Sequence, residues 1–191
     1  MKRIDKEAPS FFSAYIRENK PERWEDITPI RADLRAHILN EQEGVCAYTE
    51  IRLPDFNKNC HIDHFRKRDH FPKLTFDYAN LLVSCNSEEY GAKHKDKVIT
   101  SGEYGDLINP VEESAAGHIE FTSTGKVNPL TAKGEKTITT FNLNAKSLTE
   151  RRKDKAFCLS YYIKDEFTED DIVQSIGEFE TMIRQLYREM A

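Results

Sequence analysis

The stretch "CHIDHFRKRDHFPKLTFDYANLLVSC", residues 60 to 85, decides the fold of this chain. Its first half, "CHIDHF", alternates Ile62 and His64 against His61, Asp63 and Phe65, so it reads as a β-strand. A basic loop with "RKR" at 66 to 68 follows, and "YANLLVSC" then reads as a second strand. Next comes "NSEEYGAKHKDK", a polar segment that can open a short helix carrying His94. Strand, loop, strand and helix therefore succeed one another within some forty residues.

Outward from this centre the chain reads as mostly helical. "APSFFSAYIRENK" predicts a short helix with Ser10 as its N-cap. "ITPIRADLRAHILNEQEG" predicts a longer one, with Pro29 in its first turn, an apolar stripe of Ile30, Leu34 and Ile38, and Gly44 at its end. "VCAYTEIRL" reads as a short hairpin or knuckle. Beyond the centre, "HIEFTSTGKVNPL" is a hairpin turning at "STGK". Three helices are then expected from "AKGEKTITTFNL", "SLTERRKDKAFCLSYYIK" and "TEDDIVQSIGEFETMIRQLYREM". The last shows Ile172, Ile176, Phe179, Ile183 and Leu186 on one face. The expected class is α+β, with a helical segment over 1–44, a ββα core over 45–100, and a hairpin plus helices over 101–191, all in one compact unit.

Composition narrows the function. The chain has 191 residues, of which 38% are hydrophobic and 32% charged, as in an ordinary polar globular protein. No run approaches the roughly 18 apolar residues of a membrane span, and "MKRIDKEAPSFF" has no apolar signal region, so a cytoplasmic location is expected. The net charge of −5 argues against nucleic-acid binding through a general positive field. Any such contact must come from a local patch or from a partner. Cys46, Cys60, Cys85 and Cys158 form no disulfide framework.

Asp63 and His64 carry the chemistry. A carboxylate can ligate a hard divalent cation, and an imidazole with an ordinary pKa of about 6.5 can take a proton from water near neutral pH. Neighbours on a strand point to opposite faces, so both can serve one site only at a strand end or bend. Metal, base and basic loop are the parts of phosphodiester hydrolysis. Asn80 follows His64 by 16 residues, and His94 follows Asn80 by 14.

This order resembles the HNH nuclease family, whose ββα-metal core runs from an Asp-His strand through a loop to an Asn-Leu strand and a helix. The resemblance implies that His64 is the general base, Asn80 orients it and braces the loop, and Asp63 and His94 hold the metal. The one-carboxylate, one-imidazole set points to Mg²⁺ or Mn²⁺. Arg66, Lys67, Lys93 and Lys95 flank the site and are candidate phosphate contacts. "GVCAYTEIRL" and "TITTFNLNAKSLTERR" extend the resemblance to the HNH subfamily of PtuB-type nuclease subunits of Septu anti-phage systems, over about residues 30 to 155. It implies phage defence and an ABC/SMC-type, PtuA-like ATPase as partner, with nucleic acid as substrate. Relatives often carry two cysteine pairs for a structural zinc, but here Thr49 and Ala92 stand where thiols would be. Four ligands are needed for a closed site, so packing is expected to replace that zinc. Two other classes remain: a non-catalytic adaptor of HNH shape, and a zinc-knuckle interaction protein.

Overall fold

The computed structural model describes residues 1–54, 59–165 and 167–190. The architecture is α+β, about half helical, with two small antiparallel sheets. Among the described residues no helix is long and apolar enough to cross a membrane.

Helix α1 (Ser10–Asn19) leads through a 3₁₀ segment (Trp24–Ile30) into α2 (Arg31–Glu41). Two expected details move. The N-cap of α1 is Pro9, without a side-chain cap, and Ser10 is the first helical residue. Pro29 lies within the 3₁₀ segment, so the α-helix proper starts only at Arg31. A proline cannot donate to an α-helical ladder, and the tighter turn accommodates it. Leu34 and Ile38 are fully buried, while Ile30 packs only at the edge. Val45 and Arg52 pair through an isolated antiparallel bridge that closes the knuckle.

Strand β1 (Cys60–His64) pairs antiparallel with β2 (Leu81–Cys85), Asp63 opposite Leu82 and His64 opposite Leu81. Every residue of β2 is buried, as expected of a short apolar strand covered on both faces. Helix α3 (Ala92–Val98) follows at once. Gly91 makes this junction possible: its φ is +79°, and a Cβ there would lie 3.2 Å from Ser84 Oγ. That close approach lets the Ala92 amide donate to Ser84 Oγ at 3.2 Å, seating α3 against β2.

Strands β3 (Ile119–Phe121) and β4 (Val127–Pro129) form the second hairpin. Helices α4 (Ala132–Thr140), α5 (Lys146–Lys164), α6 (Glu169–Ile176) and α7 (Glu180–Met190) complete the chain. The single last helix expected from the sequence is thus two helices. Gly177 at φ +68° caps α6 in the left-handed conformation, and Phe179 at φ +58° turns the chain into α7. The break places Glu178 against Arg151 and Lys155 of α5. Ile172, Phe179, Ile183 and Leu186 still reach the core. One apolar cluster runs from Met1 and Leu34 through β2 to Ile183.

Candidate functional site at the end of β1

Asp63 and His64 are the last residues of β1, and both are buried. Strand alternation sends them into different surroundings. The Asp63 carboxylate meets Tyr48 and Lys95: Tyr48 Oη–H donates to Asp63 Oδ2, and Lys95 Nζ donates to the same oxygen at 2.9 Å. Burial, and then the neighbouring Asp63 charge, push the Tyr48 phenol well above its ordinary pKa, so it stays a donor. Tyr48 is itself held by stacking on Phe141, with centroids 4.4 Å apart.

His64 lies on the other side. Its Nε2 is 3.0 Å from the Thr75 carbonyl oxygen. A carbonyl only accepts, so Nε2 carries the proton and Nδ1 carries the lone pair. Trp24 covers the ring edge-on at 4.5 Å between centroids, leaving His64 6% exposed. Burial is the main reason its pKa falls to about 4, although the Thr75 carbonyl and Asp63 pull the other way. At neutral pH the imidazole is uncharged.

Asn80 braces the loop that presents Thr75. Its Oδ1 accepts from the Arg66 amide at 2.8 Å, and its Nδ2 donates to the carbonyls of Arg66 (3.0 Å) and Leu74 (3.2 Å). The Phe65 amide donates to the Asn80 carbonyl at 2.9 Å. Asn80 therefore touches both ends of the loop that holds His64 in its tautomer.

His94 is directed elsewhere. Its Nδ1 donates to the Thr140 carbonyl of α4 at 2.9 Å, so Nε2 bears its lone pair. The side chain of α3 that reaches Asp63 is Lys95, one residue on. Ala92 and Lys95, three apart, form the buried face of this short helix. Among the described residues no group of three or more His, Cys, Asp or Glu stands together to hold a metal ion. A carboxylate already paired with an ammonium, and an imidazole bonded to a different element, do not fit a divalent ion held jointly by Asp63 and His94.

The basic candidates separate by exposure. Arg66 lies over the Phe71 ring at 5.6 Å, Lys67 Nζ approaches Asp69 at 3.7 Å, and Lys93 pairs with Glu88 at 2.8 Å. All three are only partly buried. Lys95, read from the sequence with them as a phosphate contact, is instead 0% exposed. It has no free face to offer a phosphate, because α3 turns it inward. Of the knuckle thiols, Cys46 and Cys85 meet: the Cys85 amide points to Cys46 Sγ at 3.4 Å.

Sequence reasoning missed Tyr48, Lys95 in its buried role, and Trp24. Lys95 alone had a legible signal, its spacing from Ala92. Tyr48 and Trp24 are brought in only by long-range packing.

No family model matches the chain. The folded class is a small α+β protein with a strand-loop-strand-helix unit whose first strand ends on an Asp-His pair. Its sequence is similar to that of Septu protein PtuB. It is 28% identical over 114 residues to PtuB of Bacillus thuringiensis, covering 58% of this chain and 41% of that protein. It is 29% identical over 138 residues to PtuB of Bacillus mycoides (strain KBAB4), covering 57% and 46%. The chain thus spans less than half the length of the curated relatives it matches.

Proposed function

We infer that this chain is a nuclease component of a Septu-type anti-phage defence system, hydrolysing phosphodiester bonds with His64 as general base. The observation that carries the reading is the tautomer of His64. Nε2–H is spent on the Thr75 carbonyl, so Nδ1 is the nitrogen able to accept a proton from an attacking water. The imidazole is unprotonated at pH 7, as a base must be, but burial brings its pKa down to about 4 and makes it a weaker base than the ordinary 6.5 would. Water oxygen forms the new bond to phosphorus, the proton passes to Nδ1, and the leaving oxygen departs from the opposite side. Asn80 keeps the loop, and so the ring, in place. Arg66, Lys67 and Lys93 are the side chains available for phosphate contact.

The similarity to PtuB supports the defence assignment. An ABC/SMC-type ATPase is the partner we assign, and the acidic balance of the chain, −5, suits a nuclease that relies on a partner to gather nucleic acid. The HNH type implies a divalent ion, Mg²⁺ or Mn²⁺, which when bound would stabilise phosphate charge. The pairing of Asp63 with Lys95 does not fit that role.

His64→Ala, purified with the ATPase partner, is expected to lower cleavage of plasmid and single-stranded substrates by about 10²–10⁴-fold with the fold intact. Cleavage at the wild-type rate would remove His64 from the chemistry. A second reading, a non-catalytic adaptor of HNH shape, is favoured by one observation: Trp24 covers the base. It predicts no cleavage in any partner mixture.

A further inference from the structure

Lys95 is the most completely enclosed cation described in the molecule, and the contacts of its ammonium are unusual. Lysine is almost never fully buried unless paired, because an ammonium without partners is very costly away from water. Lys95 meets that cost with three oxygens: Asp63 Oδ2 at 2.9 Å, the His64 carbonyl at 2.8 Å and the Phe65 carbonyl at 3.0 Å. An ammonium has three N–H groups, so all are spent inside the protein. One carboxylate oxygen and two peptide carbonyls are the kinds of ligand a hard cation takes. The Tyr48 and Phe65 rings complete the shell at 5.9 and 6.0 Å.

The surrounding charges favour the ammonium. Asp96 Oδ1 lies 3.2 Å from Nζ as a second counter-ion, and Lys67 Nζ approaches the Asp96 carbonyl at 3.4 Å. Among the described residues, Tyr48 and Lys95 donate to Asp63, and each uses Oδ2. A divalent ion brought to Asp63 would stand beside this fixed positive charge and be repelled by it.

We propose that Lys95 is the resident cation of the Asp63 site: the carboxylate holds an internal ammonium in place of a divalent metal. Lys95 is then a positioning residue. By binding the carbonyls of His64 and Phe65, it fixes the end of β1 from which the His64 ring projects. The proposal concerns the site of the inferred hydrolysis, but it stands on these contacts and its decisive readout is ion binding.

The test is titration of Mn²⁺ into the full chain, followed by electron paramagnetic resonance. The wild type is expected to show no saturable site that Asp63→Asn removes, and Lys95→Met to gain one. One Mn²⁺ per wild-type chain, lost in Asp63→Asn, would overturn the proposal. Should Lys95→Met not fold, nitrogen-15 NMR of the wild-type lysine ammonium groups replaces it. One ammonium with slow hydrogen exchange is expected, and its absence counts against the proposal. Cleavage by the complex with its ATPase separates this idea from the functional reading. A Mn²⁺ site at Asp63 with cleavage intact sinks the resident ammonium and spares the hydrolase. No Mn²⁺ site, and no cleavage in any mixture, supports the ammonium and removes the hydrolase.

Discussion

Among the described residues stand two systems of buried carboxylates, and they are built differently. At the junction of the knuckle with the C-terminal helices, Glu50 and Glu178 use both of their oxygens. Glu50 Oε1 takes the Met1 amine at 2.7 Å and the Thr181 hydroxyl at 2.6 Å, while Oε2 takes the Thr181 amide at 2.9 Å. Glu178 Oε1 takes Arg151 Nε at 3.1 Å and lies 3.4 Å from Lys155 Nζ. Its Oε2 takes Arg151 Nη2 at 2.6 Å and the Arg52 amide at 3.1 Å. These carboxylates tie the N-terminus, the knuckle, α5 and α7 together. Asp63 instead receives Tyr48 and Lys95, its side-chain donors among the described residues, on one oxygen. The cations of Glu178 and Asp63 differ too: Arg151 and Lys155 are 44% and 33% exposed at the side chain, Lys95 not at all. A carboxylate saturated by donors from several elements is a fastener. One held through a single oxygen, beside a neutral imidazole at a strand end, has the makings of a site.

The comparison can be broken most directly at Lys95. Lys95→Met leaves Asp63 buried with Tyr48 as its remaining side-chain donor and strips two carbonyls of their donor. The expected loss is about 3–5 kcal/mol in urea unfolding. Adding Asp63→Asn removes the stranded charge and is expected to recover most of it. A loss no larger than that of Glu178→Gln would erase the distinction.

The next effect is a pH dependence carried by His64. Its folded pKa of about 4 lies below its ordinary 6.5, so between these values the unfolded chain binds a proton that the folded chain refuses. The stability owed to neutral His64 is complete above pH 6.5 and is lost as pH falls towards 4. The span corresponds to about 3 kcal/mol, read as the difference between wild type and His64→Asn across that window. Trp24→Ala is expected to raise the His64 pKa part of the way back, as seen by NMR titration, because burial is its main cause. An unchanged pKa would show that Trp24 is not the cover.

The smallest effect is expected at the fastener. Glu178→Gln keeps the shape, and the half-exposed Arg151 and Lys155 can turn to water. A cost of about 1–2 kcal/mol is expected by thermal unfolding, with α6 and α7 loosened first. A larger cost would mean that Glu178 is as enclosed electrostatically as Asp63.

What the amino-acid order determined by itself was local. The strand over residues 60 to 64, the apolar run of β2, the turn at "STGK" and the apolar spacing of α2 each express themselves within a few residues, and each is present in the fold, although burial along β1 does not alternate. The end of β1 as the place of Asp63 and His64 was legible for the same reason. The break between α6 and α7 carries a local signal in Gly177, the left-handed cap of α6, that the continuous apolar face from Ile172 to Leu186 masked; the positive φ at Phe179 has no such signal. Tertiary structure alone decided the partners of the site. Which residue of α3 meets Asp63 depends on how Gly91 seats the helix on β2, and a rotation of one residue exchanges His94 for Lys95. The cover on His64 likewise comes from Trp24, forty positions away in the sequence. Sequence periodicity says which face of an element is inward; only the packing of elements against each other says what that face will touch.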